Sequence, residues 1–155
     1  MLHARTARAL SKTRDRRACA HELDAARDQY SAGTHDDDPE WIYWMTAREI
    51  ELLSASCALE LDDPGRALQH FAEAHRAEPG SEFSSAKDDI IWLAREAKTH
   101  LALGDVDAAC EVASSAYQDN TLINSARSSD ELADFRVSLK PHRHARAARE
   151  YLSLA

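Results

Sequence analysis

Glycine and proline are scarce, four of each in 155 residues, and so few breakers leave little room for the closely spaced turns of a sheet protein. Long apolar runs are missing too. Ile90-Ile91-Trp92-Leu93-Ala94 is among the longest, far short of the roughly 20 residues that a membrane-spanning helix needs. The opening MLHARTARAL has no apolar core of the kind a secretory signal carries, so a soluble cytoplasmic protein is expected and membrane insertion is not. Cysteine is limited to Cys19, Cys57 and Cys110, an odd number with no C-x-x-C pair, which points to buried free thiols rather than a disulfide framework. The chain has no H-E-x-x-H, no glycine-rich phosphate loop and no nucleophile motif with a recognisable local context.

What is present is 44% apolar and 30% charged, dominated by Ala and Leu, in a chain long enough for one continuous core. The net charge of −8 is unevenly spread. Of 19 basic and 27 acidic residues, six basic and one acidic fall in 1–17 and five basic and one acidic in 136–155, which leaves 8 basic and 25 acidic for 18–135. Such a body repels a phosphate backbone, so specific DNA binding by this chain alone is not expected. The basic ends read as solvated helix faces or as partners for the acidic middle.

Periodicity organises the chain around the stretch from Trp41 to Pro79, read as two antiparallel helices. Ile50, Leu53, Cys57 and Leu61 repeat at helical spacing before the turn Asp62-Asp63-Pro64-Gly65, and Ala67, Phe71 and Ala74 after it. Pro64 suits a first helical turn, and Asp62 or Asp63 can accept from the free amides there. Upstream, a short helix is predicted over 2–12 and a second over 15–30, capped by Asp15 and ended by Gly33. Downstream, a helix from about Ala86 to Leu103 buries Ile90, Leu93, Ala94, Ala97 and Leu101. Gly104-Asp105 turns into a sixth with Val106, Ala109, Ala113 and Ala116 inside. A seventh is predicted from about Thr121 to Leu139 on Leu122, Ala126, Leu132, Phe135 and Leu139, ended by Pro141. An eighth holds Ala145, Ala148, Tyr151 and Leu152.

In the second helix of three successive pairs, small or apolar residues recur at offsets of four and three: Cys19-Leu23-Ala26, Ala67-Phe71-Ala74 and Ala109-Ala113-Ala116. Pro79 completes a tetratricopeptide (TPR) pattern in the middle unit. The units start 48 and 42 residues apart, where TPR units run about 34, so longer helices and loops must absorb the excess. The expected fold class is all-α: one domain over 1–155 formed as a divergent TPR-like stack of about four helical hairpins.

WIYWMTAREIEL at 41–52, the run from Cys57 through LDDPGRA to Ala67, HLALGDVDAACEVASSA at 100–116, SARSSDELADFRVSLKPHR at 125–143 and AAREYL at 147–152 carry a resemblance. In them the chain is similar to the C-terminal helical-repeat domain of bacterial transcriptional regulators that begin with an XRE-type helix-turn-helix. The resemblance implies a sensor or dimerisation domain. Fourteen residues before Asp15 are too few for a DNA-binding head, and 1–14 read as an N-terminal helix left from a linker to one. No catalytic or ligand-binding residue is carried over by the resemblance.

Chemistry-bearing constellations are few. His70 and His75 are five apart, which turns them away from each other on a helix, while His142 and His144 after Pro141 and His35 beside Asp36-Asp37-Asp38 read as a helix end and an acidic loop. Glu49, Glu60, Asp62 and Asp63 read as surface carboxylates. No metal, cofactor or catalytic residue is assigned. Trp41, Tyr43 and Trp44 crowd the start of the central helix at spacings that cannot all face one side, so some line a groove or pack on the preceding loop.

The expected function is non-catalytic: a protein- or peptide-interaction or effector-sensing module. Its candidate groove is lined by Trp41, Tyr43, Trp44, Glu49, Leu52, Ser56, Leu59, Ile91, Ala94 and Lys98. The partner expected is a protein or peptide, cationic or amphipathic to suit the acidic body, or a small effector. The alternative is a small enzyme or small-molecule carrier with a pocket built into the scaffold. Leu2, Ala7 and Leu10 at one end and Tyr151, Leu152 and Leu154 at the other are expected to support a homodimer.

Overall fold

The computed structural model describes residues 2–33, 46–77, 86–123 and 125–154. They form eight α-helices and one 3-10 turn, with no strand among them, so the fold is all-α. The helices are α1 Leu2–Lys12, α2 Arg16–Ser31, α3 Ala47–Glu60, α4 Pro64–Arg76, α5 Ala86–Ala102, α6 Val106–Ile123, α7 Ala126–Leu139 and α8 Arg146–Leu152; the 3-10 turn is Lys140–His142. No described helix is long and apolar enough to cross a membrane. The chain divides into two compact units, Met1–Phe83 and Ser84–Ala155.

Three hairpins turn in the same way. Each first helix ends on a residue with positive φ, Arg14 (61°), Asp62 (56°) or Gly104 (84°), and the next residue is an aspartate. The aspartate N–H reaches back to a carbonyl five residues earlier: Asp15 to Leu10, Asp63 to Ala58 and Asp105 to His100, at 3.0, 2.9 and 3.0 Å. Its carboxylate then accepts from the amide three residues ahead, at Ala18, Arg66 and Ala108. One residue thus closes the end of one helix and caps the start of the next, satisfying amides and carbonyls that helix termini leave open. Asp63 is therefore the cap, and Asp62 supplies the bend.

In the first unit α1 pairs with α2 and α3 with α4, and both α1 and α2 rest on α3. Being covered from several sides, α3 buries residues all round, including Ile50, Leu52, Ala55, Cys57 and Ala58. This corrects the predicted stripe: Leu52, expected on the groove side, is buried, whereas Leu53, expected inside, is only half-buried. Ala7, Cys19, Leu23, Cys57 and Leu61 form a core cluster with Leu10 against it. Ala7 and Leu10 are thus engaged within the unit, and of the apolar side expected to support self-association from α1 only Leu2 is exposed.

In the second unit α5 pairs with α6, α7 lies on α5, and α8 lies on α6. Ala97, Leu101, Ala109, Cys110, Ala113, Phe135, Leu139, Ala148 and Tyr151 form one core cluster, and Ile90, Ala94, Ala116 and Leu132 another. Phe135 and Tyr151 meet edge to face at 5.3 Å between ring centroids, and the Arg136 guanidinium lies over the Tyr151 ring. Tyr151 is buried and Leu152 packs on the core, so Leu154 alone of the C-terminal apolar set stays exposed. The predicted boundary at Thr121 is wrong: α6 continues to Ile123, which leaves Leu122 on its outer face at 85% exposure, and α7 begins at Ala126 with that residue exposed too. Ser128, fully buried, takes the inward position instead and donates to Asn120 Oδ1 of α6 at 2.5 Å.

All nine residues of the three repeated triads are buried. Each triad starts four residues after its capping aspartate, and the first triad amide donates to that aspartate's carbonyl. Phe71, 1% exposed, is the largest side chain among them. Phe71→Ala is expected to cost about 3–5 kcal/mol in urea unfolding followed by circular dichroism; a loss under about 1 kcal/mol would contradict its place in the core.

Candidate functional site

The first unit carries a cleft of about 110 Å³ between α2 and α4, floored by α3. Its α2 wall is Arg16, Cys19, Ala20, Leu23, Asp24 and Arg27, its floor Ser54, Cys57, Ala58 and Leu61, and its far wall Asp63, Arg66 and His70. The floor is apolar apart from Ser54. Helical spacing explains the arrangement: positions 16, 20, 23, 24 and 27 of α2 recur at three- and four-residue steps and so lie along one side of the helix.

One end of the cleft is closed by a satisfied ion network. Glu51 of α3 accepts from Arg27 Nε at 3.0 Å and from His70 Nδ1 at 2.6 Å. Arg27 also donates to Ser54 Oγ at 3.0 Å and meets Asp24 at 3.3 Å, while Ser54 passes its own proton to the Ile50 carbonyl. Burial pushes the Glu51 carboxyl upward, but the hydrogen bonds from Arg27 and His70 outweigh it and hold the group below the ordinary carboxylate range. Glu51 is consequently an anion tied to two donors, poorly suited to giving or taking a proton.

The other end differs. Arg16 donates to the Leu61 carbonyl, and Arg66 projects from the first turn of α4. Neither guanidinium makes an ion pair with a carboxylate among the described residues. The neighbouring aspartates are occupied: Asp15 and Asp63 as caps, Asp62 by Arg14 at 2.6 Å.

Between these ends lie two thiols, Cys19 and Cys57, packed in the same core cluster. Burial, reinforced by Cys57, pushes Cys19 up to about 12, and burial raises Cys57 despite hydrogen bonds from Ser11 and Cys19. Cys110 in the second unit is raised by burial and by Asp107. Thiols held protonated in this way are weak nucleophiles at neutral pH. All three are free and buried.

A second polar cluster, in the second unit, joins α5 to α7. Glu131 accepts from Arg95 Nη2 at 3.1 Å and from Lys98 Nζ at 2.9 Å, and Arg95 stacks 5.0 Å over the Trp92 ring. Burial works to raise Glu131, but the Lys98 hydrogen bond and the charges of Arg95 and Lys98 prevail and lower it.

The residues expected to line a groove are placed as follows. Trp41, Tyr43 and Trp44 lie outside the described residues, and α3 begins only at Ala47, after the Thr46 cap. Thr46 and Glu49 stand at the spacing of a capping box, with the Glu49 amide donating to Thr46 Oγ1 at 3.2 Å; that pattern marks the boundary the aromatic cluster obscured. Leu52, Ser56, Ile91 and Ala94 are buried, Ala94 in the core of the second unit, and Leu59 is half-buried. Glu49 lies 3.8 Å from Arg48, and Lys98 is paired with Glu131. The cleft lies instead on the second helices of the two hairpins, and none of its lining was singled out as a site from the sequence. A signal existed in Arg16, directly after the capping Asp15, and in Arg66, three residues after the capping Asp63. Among the described residues no group of three or more His, Cys, Asp or Glu side chains could hold a metal ion; His35 to Asp38 lie outside them.

Both networks make acid stability testable. Their carboxyls sit below the unfolded value of 4.5, so the stability they contribute is whole above that value and is lost as pH falls through the lower folded pKa. Urea midpoints between about pH 3 and pH 6 should fall toward acid, and Glu51→Gln with Glu131→Gln should flatten that limb. An unchanged limb would show that neither pair is coupled to folding. For the thiols, Ellman's reagent at neutral pH should react with the three cysteines only after denaturation; fast labelling of the native protein would contradict their burial.

No family model, curated protein or solved structure matches the chain.

Proposed function

We propose that this chain is a non-catalytic binding module, a cytoplasmic set of helical hairpins in a divergent TPR-like arrangement. In this reading it captures an effector or a short partner segment, as the sensor part of a transcriptional regulator would. The observation that carries the reading is the cleft of the first unit, where an apolar floor lies beneath two guanidiniums without carboxylate partners among the described residues. A binding site needs apolar area for affinity and a few unsatisfied polar groups for orientation, and both are there. The groups that might have done chemistry are held in unreactive forms: Glu51 and Glu131 as paired anions, Cys19 and Cys57 as protonated thiols. The acidic body favours a cationic partner at long range, whereas the cleft itself suits an amphipathic one with a negative end.

The test is a thermal-shift screen of the full chain against small metabolites and short peptides, with each hit recovered and weighed by mass spectrometry. A true ligand raises the melting temperature in proportion to the logarithm of its concentration, by about 2.7 kcal/mol of stability at a hundredfold excess over Kd. It should be recovered unchanged. Conversion of a hit to a product would replace this reading with an enzymatic one.

A further inference from the structure

Resting on the binding-module reading, we infer that the cleft between α2 and α4 takes a small monocarboxylate with a short apolar tail, its carboxylate held by Arg16 and Arg66 and its tail laid along Leu23, Cys57 and Leu61.

The two ends of the cleft are chemically unlike, and that asymmetry sets the orientation. At the Glu51 end both donor side chains are already engaged: Arg27 spans Glu51, Ser54 and Asp24, and His70 holds the other Glu51 oxygen. A ligand carboxylate there would have to displace an intramolecular one. At the other end Arg16 spends one nitrogen on the Leu61 carbonyl and Arg66 none on any partner among the described residues, so planar donors remain for an incoming carboxylate. Guanidinium and carboxylate match in a two-pronged hydrogen-bonding geometry. The caps Asp15 and Asp63 point their oxygens at backbone amides, which limits their repulsion of a third carboxylate.

Size and floor chemistry exclude the other candidates. A cleft of about 110 Å³ is smaller than the ~150 Å³ cavity that accepts benzene, which suits a chain of a few carbons and not a drug-sized molecule. An inorganic anion would gain the guanidiniums but leave the apolar floor unused. A cation would meet Arg16, Arg27 and Arg66 with like charge.

Isothermal titration of the full chain with hexanoate, acetate, inorganic phosphate and hexylammonium decides the matter. Hexanoate should bind, acetate more weakly, and phosphate and hexylammonium not measurably. Arg66→Gln, at an exposed position, should weaken hexanoate by about tenfold or more. Ala20→Leu, which narrows the cleft from its α2 wall, should weaken hexanoate more than acetate. Circular dichroism of both variants should match the parent; should one fail to fold, the other still reads the site. Phosphate binding as tightly as hexanoate, binding indifferent to both substitutions, or hexylammonium binding equally well would each overturn the inference. So would a peptide ending in Asp-Leu that binds where hexanoate does not, since the cleft would then belong to a protein segment. If hexanoate fails while other compounds in the thermal-shift screen still stabilise the chain, the ligand class is wrong and the binding-module reading survives.

Discussion

The hairpins depend on one local device, a left-handed residue followed by a capping aspartate. In Arg14-Asp15, Asp62-Asp63 and Gly104-Asp105 the first residue reverses the chain and the second closes both helices. A non-glycine residue with positive φ costs roughly 1–2 kcal/mol in this region, yet two of the three turns accept it. Hydrogen bonds that would otherwise be missing from two helix ends compensate, and the Arg14–Asp62 ion pair joins the two strained residues across the first unit. Because the aspartate also fixes where the next helix begins, it fixes which residues of that helix face inward. The buried triads all start four residues later for that reason.

Close packing of paired helices follows from what those triads contain. Ala67, Ala74, Ala109, Ala113 and Ala116 let backbones approach, and larger residues such as Phe71, Phe135 and Tyr151 fill the spaces where the helices diverge. In the first unit, burying α3 nearly all round leads Glu51, whose side chain is 18% exposed, to find partners on both flanking helices. Breaking such a set by removing one member would leave an uncompensated charge, the costly case for partly buried ions. Arg27 and His70 therefore tie α2 and α4 to α3 at one end, and at the other Arg16 ties α2 to the end of α3 through the Leu61 carbonyl.

Helix content, the Asp15 and Asp105 caps, the placing of the middle cap at Asp62 or Asp63 and the buried triads were legible because each is written within about one helical turn of sequence. The seventh helix was misplaced because Leu122 and Ala126 fit an apolar stripe, while the actual inward residue at its start, Ser128, is polar and becomes buriable only through Asn120 on another helix. Leu52 and Leu53 exchanged roles because α3 is covered on more than one side, a fact of tertiary packing that periodicity along one helix does not contain. The cleft was illegible for the same reason. Its walls come from distant parts of the chain, Cys19 and Arg66 being 47 residues apart, and being adjacent in space leaves no mark at that separation.

Small side chains account for the cleft itself. Two helices resting on a third will normally bring large residues together over it, but α2 presents Cys19 and Ala20 there, and α3 presents Cys57 and Ala58. Four short side chains at the crossing leave the space open and let Arg16 and Arg66 stand at its mouth without meeting a carboxylate. Filling it with a single larger apolar residue would have added buried area at little steric cost, by the general rule that about 25 cal/mol accompanies each Å² removed from water. An unfilled apolar floor beneath unspent guanidiniums is therefore a loss of stability that the fold does not require, and sites where stability is forgone are the places where binding is most often found.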